Sequence, residues 1–196
     1  YRSDLVKAEP TSWNDLLAPS DDIKGKTTML ATDRWLLAAG QLAKGYSVNE
    51  TDAGKMAEVK DLLISAKRTL LAYDDTTFYS KLVSGEALMV QAWDGWCNYG
   101  IGENKDIKYV IPKEGAQMWF DQMAIPADAK HVAEAHEYLN FIMKPEVAEK
   151  ATNYVYLSNG NKASQQFIDK EILDNPAIYP DEATLKNLFT VSPYDP

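Results

Sequence analysis

Residues 87–96, ALMVQAWDGW, show the pattern on which the interpretation of the whole chain is built. The apolar run that opens this stretch is typical of a buried strand, and it ends directly at Trp93 and Asp94. An indole and a carboxylate at a strand end are the groups that a pocket for an organic cation requires. The reason is that an ammonium group needs an anionic acceptor and packs well on an indole face.

Trp119 and Asp121 repeat this pairing farther along the chain, after a strand that we predict at residues 106–111. For any one of these side chains taken alone, a core tryptophan or a turn-forming aspartate is an equally good explanation. The prediction of a cation pocket therefore depends on the two pairings lying close together in the fold.

Elements of helical and of strand type alternate along the chain. Helical spacing and capping residues predict helices at residues 11–17, 33–44, 53–66, 76–83, 131–143, from 145 onward, 164–172 and 182–189. Apolar runs predict strands at residues 26–30, 69–73, 87–92, 106–111 and 118–125. Three glycines at positions 95, 100 and 102 predict a loop after the third strand. The alternation predicts an α/β fold with a mostly parallel sheet flanked by helices, in which ligands bind beyond the carboxyl ends of the strands.

Composition argues against several classes of partner. The 196 residues carry a formal net charge of −9 and no stripe of Lys or Arg, so we predict no nucleic-acid binding. No apolar run reaches the length of a membrane span. No signal-peptide pattern is visible and the chain begins at Tyr1, so the sequence alone gives no cellular location.

Residues typical of catalysis or metal binding are few. His131 and His136 are five positions apart on one predicted helix and do not share a face as a metal pair would, and Cys97 stands alone. We therefore predict no enzyme, no metal and no cofactor. A hydrolase that uses Asp94 and Asp121 as paired carboxylates is the alternative from another class.

Several stretches together resemble the periplasmic spermidine/putrescine-binding proteins of ABC importers. They are residues 11–16 (TSWNDL), 45–52 (GYSVNETD), 93–96 (WDGW), 112–115 (PKEG), 119–126 (WFDQMAIP) and 138–148 (YLNFIMKPEVA). In that family two α/β lobes close on the ligand, so the resemblance implies a periplasmic-binding-protein-like lobe plus a crossover segment. Residues 1–118 and 157–196 would form the C-terminal (second) lobe. Residues 119–156 would cross back to an N-terminal lobe that precedes this chain.

The resemblance also implies roles for individual residues. Trp93 corresponds to an indole that stacks on the polyamine, and Trp119 corresponds to a second aromatic wall. Asp121 corresponds to the carboxylate that grips an amino group, and Tyr156 to a tyrosine that lines the pocket. Asp94 is an additional acceptor beside Trp93.

One departure from the family pattern concerns the other end of the ligand. Acidic residues that grip a second amine would fall on Thr32 and Trp35, and Asp33 is the only acid nearby. A smaller or differently shaped cation, with aromatic enclosure from Trp35, is therefore an alternative ligand. Further alternatives are an anion or metal chelate, or a fragment that serves as a scaffold without a ligand of its own.

The resemblance implies the substrate-binding component of an ABC transporter, which captures putrescine- or spermidine-type cations for uptake. Its implied partners are the permease subunits of the importer, and its implied location is the periplasm.

Overall fold

The computed structural model describes residues 1–193, and the last three residues of the predicted second lobe, 194–196, lie outside the described part. The chain divides into two compact units. The first contains Tyr1–Trp119 and the chain from Asp181 onward, and the second contains Phe120–Pro180.

Helices account for most of the regular structure. They are α1 Trp13–Leu17, α2 Asp33–Ala43, α3 Ala53–Lys67, α4 Phe78–Ser84, α5 Asp94–Glu103, α6 Val132–Ile142, α7 Pro145–Val155, α8 Lys170–Leu173 and α9 Glu182–Leu185, with a 3-10 helix at Lys162–Gln166. The strands are β1 Thr27–Met29, β2 Ala72–Tyr73, β3 Met89–Val90, β4 Ala116–Gln117 and β5 Leu188–Phe189.

A parallel three-stranded sheet in the order β2-β1-β3 lies at the centre of the first unit. Strand β1 lies between the other two and is fully buried, with Thr28 paired to Ala72 on one side and to Val90 on the other. The connection that follows β1 leads to β2 on one side of it, while β3 pairs with β1 on its opposite side. The carboxyl ends of β1 and β3 therefore border a crevice of the kind that binds ligands in α/β sheets. The predicted α/β fold with parallel strands flanked by helices is confirmed.

Strands β4 and β5 form a second, two-stranded parallel ladder in the same unit. Gly115 precedes β4 with φ +92°, and a Cβ atom there would lie 2.1 Å from the carbonyl oxygen of Asn187. Only glycine allows this close approach. The ladder fixes the backbone two residues before Trp119.

Three apolar clusters of buried residues lie in the first unit. The largest contains side chains of α1, α3, β1 and β3, among them Leu16, Leu17, Met29, Val59, Leu63 and Met89. A second joins α2 to the chain after it through Ala38, Leu42 and Val48. The third joins α4 to α5 and the chain after it through Leu82, Cys97 and Ile107.

The second unit has a small core of its own around Ile168, Ile172 and Ile178. A polar network beside it is centred on Asn159, which donates to the Thr152 hydroxyl at 2.8 Å and accepts from the Ser164 hydroxyl at 3.1 Å.

The glycine-rich stretch after β3 differs from the prediction, because it forms helix α5 and not a loop. Packing outweighs the poor helix propensity of glycine here. Cys97 and Gly100 are buried, and a Cβ on Gly100 would meet Ile107 at an ordinary van der Waals distance of 3.5 Å.

Four other elements were also predicted wrongly, and one of them is the helix at residues 164–172, which is broken into the 3-10 helix Lys162–Gln166 and helix α8. Residues 106–111 make only a single antiparallel bridge, between Ile107 and Arg2, and residues 118–125 have no regular structure. The predicted helix at residues 182–189 ends at Leu185 because the chain then pairs as β5 with β4. Long-range pairing, which local patterns do not encode, makes residues 188–189 a strand.

Among residues 1–193, none of the helices has both the length and the apolar character needed to cross a bilayer.

Candidate ligand-binding site

Three indoles meet at the carboxyl end of the sheet, and we call Trp35, Trp93 and Trp119 the tryptophan cluster. The ring centroids are 4.8 Å apart for Trp35 and Trp93, 5.2 Å for Trp35 and Trp119, and 5.5 Å for Trp93 and Trp119. The ring planes cross at 84°, 79° and 85°. Edge-to-face contact of this kind is favoured because the positive edge of one ring meets the negative face of another.

Each indole comes from a segment that leaves a strand. Trp35 lies in the first turn of α2, after β1, and Trp93 is the N-cap residue of α5, after β3. Trp119 follows β4 by two residues. The two indoles of the predicted pairings are thus brought into contact, and Trp35 completes the cluster.

A carboxylate holds the turn that precedes Trp35. Asp75, after β2, accepts hydrogen bonds from the backbone N–H groups of Ala31 at 2.8 Å and Thr32 at 3.3 Å, and from the Thr32 hydroxyl at 3.2 Å. These bonds satisfy donors at the start of α2, where the Thr32 side chain makes no capping bond of its own. The carboxylate nearest to Thr32 therefore stabilises the turn.

A cavity of about 110 Å³ lies beside the cluster within the first unit. The walls are largely apolar and aromatic, and include Trp13, Trp35, Trp93, Tyr109 and Trp119. Lys108 is the one charged side chain among the lining residues that the structure describes. The cavity is smaller than the roughly 300–1,000 Å³ of complete small-molecule sites.

Two further wall residues are uncharged near neutral pH. Burial raises the pKa of the Cys97 thiol to about 11, and the negative charge of Asp94 adds to the rise. Burial likewise raises the pKa of the Tyr109 phenol, with smaller contributions from Asp94 and Cys97. Asp94 is half-buried in the first turn of α5, where the helix dipole favours its negative charge.

The remaining predicted residues Asp33, Asp121 and Tyr156 are not among those that line this cavity. Asp33 is exposed in the first turn of α2. Asp121 is exposed near the start of the second unit. Tyr156 ends α7 in the left-handed conformation, with φ 57° and 37% of its surface exposed.

Sequence reasoning missed Trp13 and Tyr109 as wall residues. Trp13 is held in place because its indole N–H donates to the carbonyl of Gly115 at 2.8 Å. Glu114 accepts from the Ser12 hydroxyl and from the backbone N–H of Trp13, and so ties the loop before β4 to the start of α1. Nothing local in the sequence indicates these contacts, which join residues about a hundred positions apart.

Residues 1–193 contain no group of three or more His, Cys, Asp or Glu side chains placed to hold a metal ion.

A family model described as bacterial extracellular solute-binding protein matches residues 1–180. The spermidine/putrescine-binding periplasmic protein 1 of Haemophilus influenzae is 30% identical over 188 residues, which cover 95% of this chain and 52% of that protein. A putrescine-binding periplasmic protein of Escherichia coli is 29% identical over 212 residues, which cover 100% of this chain and 57% of that protein.

A solved structure shows the same fold. The spermidine/putrescine ABC transporter substrate-binding protein of Streptococcus pneumoniae aligns with a TM-score of 0.89 and 27% identity, over 100% of this chain and 60% of that one. The chain spans about half the length of the curated relatives it matches.

Proposed function

Because this chain belongs to the bacterial extracellular solute-binding protein family, we propose that it forms one side of a ligand cleft in the substrate-binding component of an ABC importer. The proposed ligand is a polyamine of the putrescine or spermidine class. The tryptophan cluster is the observation that carries this proposal, because it places three indoles around the crevice where α/β sheets bind ligands. The names of the relatives support the choice of ligand.

The proposed aromatic walls are Trp93, Trp119 and Trp35. A polyamine has ammonium groups joined by methylenes, and both parts pack favourably on indole. A cation over an indole contributes about 0.5–1 kcal/mol at an exposed site and about 2 kcal/mol or more when water is excluded. Removing water from the cluster through lobe closure would therefore strengthen binding.

The proposed anionic acceptor is Asp121, with Asp94 and Asp33 as additional acceptors on the first unit. Half-burial of Asp94 beside Trp93 supports a role at the edge of the aromatic wall. Removing a carboxylate that pairs with a buried ammonium costs roughly 2–5 kcal/mol. That loss corresponds to about a 30-fold to several thousand-fold fall in affinity.

Tyr156 is proposed to line the ligand pocket. Among residues 1–193, Tyr156 is the one non-glycine residue with a positive φ. A left-handed backbone at such a residue persists where the surrounding structure imposes it, often at ligand sites. The backbone N–H of Tyr156 donates to the Thr152 carbonyl at 2.9 Å, which fixes this helix end.

The proposed domain arrangement has residues 1–118 and 157–196 in the C-terminal lobe and residues 119–156 crossing to an N-terminal lobe. The end of the first compact unit at Trp119 supports the first boundary. The second boundary, between residues 156 and 157, stays a prediction. In the compact division, residues 157–180 belong to the same unit as residues 120–156. Helix α6 buries none of its residues against the rest of the described chain and exposes Tyr138 and Phe141. Exposed aromatic side chains on one helix support the proposal that the N-terminal lobe packs on α6.

The proposed partners are the permease subunits of the importer, the proposed location is the periplasm, and the proposed role is binding without catalysis. The names of the relatives as periplasmic binding proteins support the location and the role. The name of the Streptococcus pneumoniae structure as an ABC transporter substrate-binding protein supports the partners.

The test is a calorimetric titration of the full-length protein that contains this chain. Putrescine, spermidine and agmatine are compared with neutral amino acids of similar size. Micromolar or tighter binding of at least one polyamine, absent for the amino acids, is expected. Selective binding of the amino acids would contradict the proposal.

A further inference from the structure

A glutamine stands two residues before two of the three clustered tryptophans. The sequences are Gln91-Ala92-Trp93 and Gln117-Met118-Trp119. Side chains two positions apart in extended backbone project to the same side, and both glutamines and both tryptophans line the same cavity.

Gln91 links the exits of two strands to helix α2. Its Oε1 accepts from the backbone N–H of Leu30 at 3.2 Å, and its Nε2 donates to the carbonyl of Trp35 at 3.1 Å. The side chain is buried, with 5% of its surface exposed. One amide therefore joins the end of β1, the residue Trp35 and the segment that carries Trp93.

Gln117 makes the corresponding bond from the other side. Its Nε2 donates to the carbonyl of Arg34 at 3.4 Å, one residue before Trp35. Pairing of Gln117 in β4 with Phe189 in β5 holds the backbone from which this side chain extends.

We propose that Gln91 and Gln117 are positioning residues that set the tryptophan cluster. Their amides donate to neighbouring carbonyls in the first turn of α2. These two bonds tie the segments that carry Trp93 and Trp119 to the turn that carries Trp35. Neither amide is needed as a contact to the ligand. The effect on ligand affinity rests on the proposed function, whereas the effect on the geometry of the indoles does not.

The same helix offers a matched control. Gln41 is fully buried, and its Nε2 donates to the carbonyl of Glu50 at 3.2 Å and contacts the sulfur of Met56. It lies in the last turns of α2, away from the cluster. Replacing Gln41 removes a buried amide of the same kind without touching the bonds to Arg34 and Trp35.

The experiment compares Gln91→Met, Gln117→Met and Gln41→Met in the full-length protein, with Trp35→Phe as the reference for signals from the tryptophan cluster. Methionine keeps the approximate length of the side chain and removes both amide groups. Thermal unfolding, near-ultraviolet circular dichroism of the ligand-free protein, and titration with putrescine and spermidine are measured on each variant.

All three substitutions are expected to lower the thermal midpoint. Only Gln91→Met and Gln117→Met are expected to change the tryptophan circular dichroism, in the same bands that Trp35→Phe changes. They should weaken polyamine binding by about 3- to 10-fold, the range that corresponds to one lost hydrogen bond. Gln41→Met should leave the spectrum and the affinity unchanged.

Gln117 is half-buried, so Gln117→Met is expected to fold even if Gln91→Met does not. An unchanged tryptophan spectrum in folded Gln117→Met would overturn the inference for that residue. A change of equal size in the tryptophan spectrum of Gln41→Met would overturn the inference for both Gln91 and Gln117. If the unmodified protein binds no polyamine, the proposed function fails, and the spectra still decide whether the glutamines position the indoles.

Discussion

Trp35 meets Trp93 edge to face, with ring centroids 4.8 Å apart and ring planes at 84°. The contact joins the first turn of α2 to the N-cap of α5, and so it joins the carboxyl ends of β1 and β3. Trp35 and Trp93 both also contact Trp119, so the two indoles together link the sheet crevice to the segment after β4.

Trp35→Ala should disturb both stability and binding. The indole is half-buried, so we expect a loss of about 1–3 kcal/mol in the free energy of unfolding, below the roughly 3–5 kcal/mol of a fully buried tryptophan. Polyamine affinity should fall as well. Denaturant unfolding and calorimetry measure the two effects.

Trp96→Ala is the matched control for that variant, because Trp96 is 52% exposed and stacks on Tyr79 outside the cluster. An equal loss of affinity in both variants would show that the cluster has no special role.

Gly115→Ala should disrupt the β4–β5 ladder. The new Cβ would lie 2.1 Å from the Asn187 carbonyl oxygen, and the backbone has φ +92°, so we expect a cost of more than about 2 kcal/mol from strain and displaced backbone. Gly102→Ala is the control, because it lies in α5 with no atom within 4 Å of the added Cβ, and it should be neutral or stabilise by up to about 1 kcal/mol. Thermal unfolding distinguishes them, and equal midpoints would refute the role given to Gly115.

Ionised Asp74 should stabilise the folded protein, so the free energy of unfolding should fall when acidic pH protonates it. Burial alone would raise the pKa of Asp74, but the Lys81 ammonium at 2.6 Å and hydrogen bonds from Thr77 outweigh it and hold the pKa well below the usual range. Because the folded-state pKa is depressed, the stabilisation is present above the unfolded pKa of about 3.9. It is lost as the pH falls below that value toward the folded pKa.

Asp74→Asn should therefore lower stability at pH 6 and flatten the fall in stability below about pH 4. Asp21→Asn is the control, because Asp21 forms a largely exposed pair with Lys24. Thermal midpoints between about pH 2 and pH 6 measure this, and an unchanged pH profile in Asp74→Asn would contradict the account.

Cys97 should react slowly with thiol reagents in the folded protein. It is buried, with 2% of its surface exposed, and burial raises its pKa to about 11, so almost no thiolate is present at pH 8. Labelling of this thiol should become fast only in denaturant. Rapid labelling of the folded protein at pH 8 would show that the wall of the cavity beside Trp93 is open.

Local patterns predicted the longer helices α2, α3, α6 and α7, and they singled out two of the three indoles that the structure brings together. The apolar residues of α2 and α6 recur with helical spacing and predict these helices, and residues 87–93 carry a strand that ends shortly before an indole. Helix α5 was missed because its stability comes from packing on Ile107 and not from its glycine-rich composition.

The part of the site that sequence reasoning missed depends on contacts across long separations. Trp13 reaches the wall through a bond to Gly115, and the segment after α9 pairs with β4, so neither could be read from neighbouring residues. The two Gln-x-Trp repeats are the exception, since the spacing is visible in the sequence and extended backbone alone puts both side chains on one side.

The most direct test of the central claim is a calorimetric titration of spermidine and putrescine into the full-length protein and its Trp93→Ala and Trp96→Ala variants. The account predicts that Trp93→Ala, which opens the tryptophan cluster, weakens binding by about tenfold or more, on the scale of about 1.4 kcal/mol for each factor of ten. Trp96→Ala, which removes an exposed indole outside the cluster, should bind as the unmodified protein does. Polyamine binding that is equally strong in all three proteins would contradict the assignment of the cluster as the ligand site.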